Sequence, residues 1–398
     1  MRHSQSGHRN PKPKASSSPR SQHKSPTRKI ADLFSGVGGF SLGAARAGFD
    51  VAVAIDTDRH AVGSHKENFP KTKHARRDIA KLAGHDLPRI ANIGEEKLVG
   101  LIGGPPCQGF STMGRRRKND KRNPLFFHFF RLVSELKPLF FVAENVPGIL
   151  DSKFHSLRSK ALKLVSSDYN IVGPFTLAAS DFGAATNRSR VFFVGVSKRC
   201  QISLSVSDFE NGISSSNICV RRALAGLSPQ VKPNWQSEKS SWRRVKESKG
   251  KYFTTINRFC ESVGDPEAIE RFLEKLEVSG FLGTRHREDV IKRFAAVPAG
   301  KMDKTSKFPR LSWNGLCPTL RAGTDSSRGS YQAVRPIHPE RNRVITPREA
   351  ARLQGFPDWF QFSPTKWHSF RQIGNSISPL IAEAVLDVIR CKLFPELT

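Results

Sequence analysis

Apolar residues run along this chain in two rhythms. From Lys29 to about Lys198, short unbroken apolar runs alternate with stretches where apolar residues recur every three or four positions. Residues 51–55, 98–102, 139–143 and 191–196 are such runs, and 30–34 is one interrupted only by Asp32, as strands covered on both faces of a sheet should be. Between the third and fourth runs, Asn123-Pro124 opens a helix whose apolar stripe runs Leu125, Phe129, Leu132 and Leu136 and stops before Pro138. Alternating strand and helix predicts an α/β fold. Its sheet should be doubly wound and mostly parallel, Rossmann-like, with ligand sites at the carboxyl ends of the strands.

The rhythm fades over residues 199–339, where Ser, Lys, Arg, Trp and Gly dominate; a smaller, irregular second domain is expected there. Regularity returns in residues 340–398. Thr346-Pro347-Arg348-Glu349 reads as a capping box with proline at the first helical position, and Gly355 stops that helix. A last helix starts near Ser378-Pro379, with apolar residues at 380, 384, 388 and at 381, 385, 389. No internal repeat is visible.

Charge then narrows the partners. The chain of 398 residues carries a formal net charge of +30, which favours a polyanion: nucleic acid or an anionic surface. No apolar run reaches the length of a membrane span, and the basic N-terminus lacks the apolar core of a signal peptide, so no membrane role is expected. Residues 1–28 hold Ser, Pro and basic residues with no acid, and read as a disordered basic tail. Without an apolar helical face, that tail does not read as a mitochondrial presequence. The six cysteines form no C-x-x-C pair and no zinc spacing, so no metal site is expected and one thiol is free to act as a nucleophile.

Candidate chemistry sits where the strands end. The first run enters Asp32-Leu33-Phe34-Ser35-Gly36-Val37-Gly38-Gly39-Phe40, a glycine loop that can pass close to a ligand at the start of a helix. Ser41 occupies the place of the third glycine of a dinucleotide fingerprint, so a nucleoside ligand fits better than a dinucleotide. Asp56 ends the second run and suits ribose hydroxyls; a solvated acid at a strand end is the plain alternative. After the third run comes Gly103-Gly104-Pro105-Pro106-Cys107-Gln108-Gly109-Phe110-Ser111, a stiff, uncrowded loop carrying Cys107. Glu144-Asn145-Val146-Pro147-Gly148 ends the fourth run, and Asn187-Arg188-Ser189-Arg190 precedes the fifth, so a thiol, an acid and two arginines share one rim. Gln372-Ile373-Gly374-Asn375-Ser376 precedes the last helix, where amides and side chains can hold a polar ligand.

Taken in order, DLFSGVGGF, GGPPCQGFS, ENVPG, the arginines at 188 and 190, RVITPREAARLQGFPD at 343–358 and GNSISP resemble the cytosine carbon-5 DNA methyltransferase family, in its bacterial modification-methyltransferase form. The resemblance covers everything after the tail. It implies a catalytic and cofactor-binding domain at 29–198, a target-recognition domain at 199–339, and a hinge segment with a C-terminal helix returning to the catalytic domain at 340–398. It implies S-adenosylmethionine as cofactor, held by Phe34, Gly36, Gly38, Asp56, Asp78, Ile79, Leu125, Asn375 and Ser376. It makes Cys107 the nucleophile, Glu144 the acid on the cytosine edge, and Arg190 with Arg188 the groups that orient the base. Gln108 and Ser111 fall in a loop over DNA, and Arg321, Thr324 and Arg328 are candidate base readers.

Two positions depart from the family pattern: Thr186 stands where glutamine is usual, and Thr57 where an aromatic often lies beside the adenine. The expected partner is double-stranded DNA, with a cognate restriction endonuclease as a second; the expected state is a monomer in the cytoplasm, on the nucleoid. A transfer-RNA cytosine methyltransferase shares the chemistry and is the nearest rival. The long recognition segment and the absence of a Cys-Phe-Thr signature favour DNA. A catalytically dead DNA-binding protein is disfavoured by the intact Cys107, Glu144 and Arg190.

Overall fold

The computed structural model describes residues 28–94, 96–106, 123–213, 218–232, 242–248, 250–322 and 335–395. Its strands begin β1 Lys29–Leu33, β2 Asp50–Asp56, β3 Lys73–Arg76, β4 Gly100–Gly103, β5 Phe140–Asn145, β6 Tyr169–Ala178, β7 Thr186–Asn187 and β8 Ser189–Ser197. Seven of them form one sheet in the order β3-β2-β1-β4-β5-β8-β6. The first five in that order are parallel, and β8 runs antiparallel to both of its neighbours. The chain is therefore an α/β fold with a mostly parallel sheet.

All five apolar runs are strands of this sheet. Two further strands carry no such run, because both lie at an edge. β3 reads Lys-His-Ala-Arg with no buried residue, and β6 contains Gly173-Pro174, where its register against β8 shifts. Proline is tolerated in an edge strand, and charge on an edge discourages pairing with other chains.

Helix Asn123–Leu136 buries Phe126, Phe129, Phe130, Leu132 and Val133 against the sheet. The buried face is thus turned from the expected stripe, leaving Leu125 and Leu136 half-buried at its border. On the opposite face, helix Pro379–Leu393 packs Ile381, Val385 and Ile389 against Ile30, Val51, Val142 and Val194.

Beyond β8 the described ladders are two residues long: β9 Arg243–Arg244 with β10 Glu277–Val278, and β11 Cys317–Pro318 with β7. The capping box forms as read: Thr346 and Glu349 bond each other's backbone at the start of helix Pro347–Leu353. That helix packs with Val220, Tyr252, Phe253 and Phe281, whereas the last helix packs on the sheet. The C-terminal segment thereby serves both halves. Among the described residues no helix is long and apolar enough to cross a membrane.

Candidate active site

The sheet register sets the site. Leu33 stands opposite Ile55 on one side and Gly103 on the other, and Gly103 stands opposite Ala143. One residue past this row lie Phe34, Asp56, Gly104 and Glu144, on neighbouring strands roughly 4.8 Å apart. Parallel pairing thus brings residues over a hundred positions apart in the chain to one rim.

Glu144 is the centre of that rim. Its Oε1 accepts from Arg190 Nε at 2.5 Å, and both side chains are largely buried, at 14% and 8% exposed. Arg190 comes from β8, whose antiparallel course brings the strand's start to the rim. A Cβ at Gly104 would lie 2.8 Å from Glu144 Oε2, so only glycine lets the chain pass the carboxylate without moving it. Asn145 Nδ2 donates to Pro105 O at 3.3 Å. Asn145 therefore holds, and Glu144 lies against, the described end of the stretch that leads to Cys107; Cys107, Gln108 and Ser111 themselves lie outside the described residues.

Arg188 faces elsewhere. Its guanidinium is buried and donates to Leu320 O and Gly374 O, joining the irregular half to the end of helix Lys366–Asn375. Thr186 adds to that join: its hydroxyl donates to Cys317 O at 3.1 Å beside the β7–β11 pairing.

The glycine loop turns through three positive-φ residues, Phe34 at 59°, Gly36 at 55° and Gly38 at 101°. A bulky aromatic rarely adopts this region, and such strain clusters where a backbone is shaped for a ligand. The loop glycines differ in purpose. A Cβ on Gly36 would meet nothing nearer than 4.0 Å, so open ground lies before it. On Gly38 it would meet Phe69 at 2.4 Å, and on Gly39 Ser376 Oγ at 2.0 Å. The last contact sets Ser376 directly against the loop.

Asp56 accepts from Gly36 N at 2.9 Å and Asp58 N at 2.8 Å, while burial raises its pKa above the usual carboxylate range. Thr57 is exposed beside it. Asp78 is exposed and caps a short turn through Ala80 N at 3.0 Å, Ile79 is buried in the core, and Asn375 is exposed. Arg321 is exposed, and Thr324 and Arg328 lie outside the described residues. Among the described residues no group of His, Cys, Asp and Glu is suited to a metal ion.

Sequence reading missed a polar chain beneath the loop. Ser41 Oγ donates to Asp32 Oδ2 at 2.6 Å and lies 2.9 Å from His65 Nε2, and His65 Nδ1 lies 2.9 Å from His74 Nε2. Neutral imidazoles satisfy it in one direction, each Nε2–H donating toward Asp32. Burial raises Asp32 to about 7 and lowers His74 to about 4. Only spatial folding joins these residues; no spacing in the chain signals them.

Residues 28–391 match the C-5 cytosine-specific DNA methylase family. The Type II methyltransferase M.XorII of Xanthomonas oryzae pv. oryzae is 40% identical over 366 residues, spanning 90% of this chain and 84% of that protein. A prophage-encoded E. coli protein, whose crystal structure is assigned as a DNA modification methyltransferase, is 47% identical. It superimposes with a TM-score of 0.83, covering 92% of this chain and 99% of that one. The Dnmt2 methyltransferase of S. pombe shares the fold at 18% identity and a TM-score of 0.60, covering 93% of this chain and 99% of that one. A match that takes in the sheet, its rim and the irregular half alike makes the chain a member of the C-5 cytosine-specific DNA methylase family.

Proposed function

We propose that this DNA cytosine-5 methyltransferase acts on a cytosine flipped out of a specific duplex sequence, through a covalent Cys107 adduct and with S-adenosylmethionine as donor. The observation that carries the reading is Glu144, held by Arg190 at the rim and against Gly104, three residues before Cys107.

The rim suits such a nucleoside cofactor: open ground before Gly36, an acceptor in Asp56, and half-buried apolar walls in Phe34 and Leu125. Gly38, Asp78, Ile79, Asn375 and Ser376 complete the proposed pocket. When bound, S-adenosylmethionine supplies an activated methyl group.

The protein's own work is on the base. The target carbon is shielded inside a duplex, so the cytosine must leave the stack. Cys107 adds its thiolate to ring carbon 6, and Glu144 supplies a proton or hydrogen bond at ring nitrogen 3, making carbon 5 nucleophilic. Arg190 fixes the Glu144 carboxylate and orients the base. After methylation, loss of the carbon-5 proton and expulsion of the Cys107 thiolate restore the ring. Residues 199–339 form the target-recognition unit, with Gln108, Ser111, Arg321, Thr324 and Arg328 at the DNA. A restriction endonuclease of the same target is the natural partner, since the relatives are type II methyltransferases.

Nucleoside mass spectrometry after incubation with DNA or transfer RNA and S-adenosylmethionine tests the reading. 5-Methylcytosine should appear in DNA. Appearance in transfer RNA alone, or in neither, overturns it.

A further inference from the structure

The carbonyls held by Arg188 belong to two places that the proposed function keeps separate. Nη1 donates to Leu320 O at 3.1 Å, and the next residue is the candidate reader Arg321. Nη2 donates to Gly374 O at 2.9 Å, and the next two residues are Asn375 and Ser376 of the proposed cofactor pocket. Arg188, Leu320 and Gly374 are all buried, so a carbonyl released by the clamp is left short of a donor.

The two backbones also touch. A Cβ on Gly374 would stand 2.6 Å from Ala322 N and 2.7 Å from Arg321 C. Side chains tie the same strap to the same strand one residue after another: Thr186 Oγ1 to Cys317 O at 3.1 Å and Thr319 Oγ1 to Asn187 O at 2.6 Å. Ser376 in turn lies against the glycine loop at Gly39. A continuous path of direct contacts therefore runs from the loop, through Ser376 and Gly374, to Arg321.

We infer that Arg188 is a positioning residue that couples the cofactor pocket to the DNA-reading segment, so that filling one raises affinity for the other. The inference rests on the functional reading above. Ordering of Asn375 and Ser376 by the cofactor fixes Gly374 O, which fixes the guanidinium, which fixes Leu320 and the entry to Arg321. By linkage the effect must be equal in both directions.

The test uses the full chain, S-adenosylhomocysteine as a non-reacting cofactor probe, and a duplex carrying the methylated sequence found by bisulfite sequencing. Duplex affinity is measured by fluorescence anisotropy with and without the probe, and probe affinity by calorimetry with and without duplex. The wild type should show the same gain, about tenfold, in both directions. In Arg188→Met each ligand alone should bind within about threefold of wild type while the gain falls to near one. Arg188→Lys should recover part of it, since an ammonium can still reach a carbonyl but lacks the planar fork.

A merely structural role would weaken single-ligand binding and leave the gain unchanged. Wild-type gain in Arg188→Met, or no gain in a wild type that binds both ligands, overturns the inference. Should Arg188→Met fail to fold, Thr319→Val decides: its gain should fall to about one-third, and an unchanged gain counts against the coupling. A folded wild type that binds neither ligand overturns the functional reading and this inference together.

Discussion

In the sheet half, buried backbone groups find their partners along ladders, and the parallel register from β3 to β5 lines up the strand ends. In the irregular half the described ladders are two residues long, and buried guanidinium groups take their place. Arg310 donates to the carbonyls of His338, Pro339 and Arg341; Arg348 to those of Ser279, Pro357 and Phe360; Arg352 to that of Ala225 and to the Asp358 carboxylate. A buried carbonyl without a donor is costly, and one planar group with five donors serves several at once. A loop path can then vary without a sheet to support it. The rim keeps its geometry through the ladder register, whereas the arginine-pinned half holds an irregular path through side chains.

If the rim is built for chemistry more than for stability, Glu144→Gln should lower methyl transfer by ~100- to 10,000-fold. Stability should fall less than when a buried ion pair loses one partner outright, because a glutamine at 144 keeps an oxygen that accepts from Arg190 Nε. Tritium transfer from labelled cofactor measures the first and urea denaturation the second. Loss of stability with a near-normal rate would erase the contrast between the halves.

The converse holds for the pinned half. Arg352 and Asp358 form an ion pair with side chains 1% and 0% exposed. Arg352→Met should cost about 3–5 kcal/mol, since it leaves a buried carboxylate without its partner. Arg352→Lys should recover little, because one ammonium cannot serve both Asp358 and the Ala225 carbonyl. Denaturant titration measures both; a cost below about 1 kcal/mol would show that this pair does not pin the loops.

One buried group in each half should answer acid with the opposite sign to the other. Burial raises Asp32, in β1, from 3.8 to about 7, so its folded form holds a proton that the unfolded form releases; its contribution to stability is lost as pH rises from about 4 to 7. Burial lowers His338, in the irregular half, from 6.5 to about 4, so its contribution is lost as pH falls through that window. Each slope is at most about 1.4 kcal/mol per pH unit. Urea midpoints between pH 4 and 8 should lose the first slope in Asp32→Asn and the second in His338→Gln. Unchanged slopes in these variants would place the titrations elsewhere.

The five central strands were legible because burial on both faces demands almost wholly apolar runs, and Glu144, Arg190 and Asp56 because they stand where those runs begin or end. The edge strands β3 and β6 were not, since an edge tolerates charge and proline. Least legible were the arginines. A sequence presents every arginine as charge available to DNA, yet Arg188, Arg310, Arg348 and Arg352 are buried and bonded to backbone carbonyls. Arg188 and its partner Gly374 are 186 positions apart, a separation at which no local pattern can signal the bond.

The central claim is that Cys107 and Glu144 act together on one cytosine. The most direct measurement is mass spectrometry of the protein after incubation with S-adenosylmethionine and a target duplex carrying 5-fluorocytosine, whose carbon 5 has no proton to lose. The wild type should gain the mass of the methylated strand on the peptide containing Cys107, Cys107→Ser should gain none, and Glu144→Gln should gain it far more slowly. An adduct on another residue, or a wild type that methylates ordinary cytosine in the same duplex yet forms no adduct, would contradict the account.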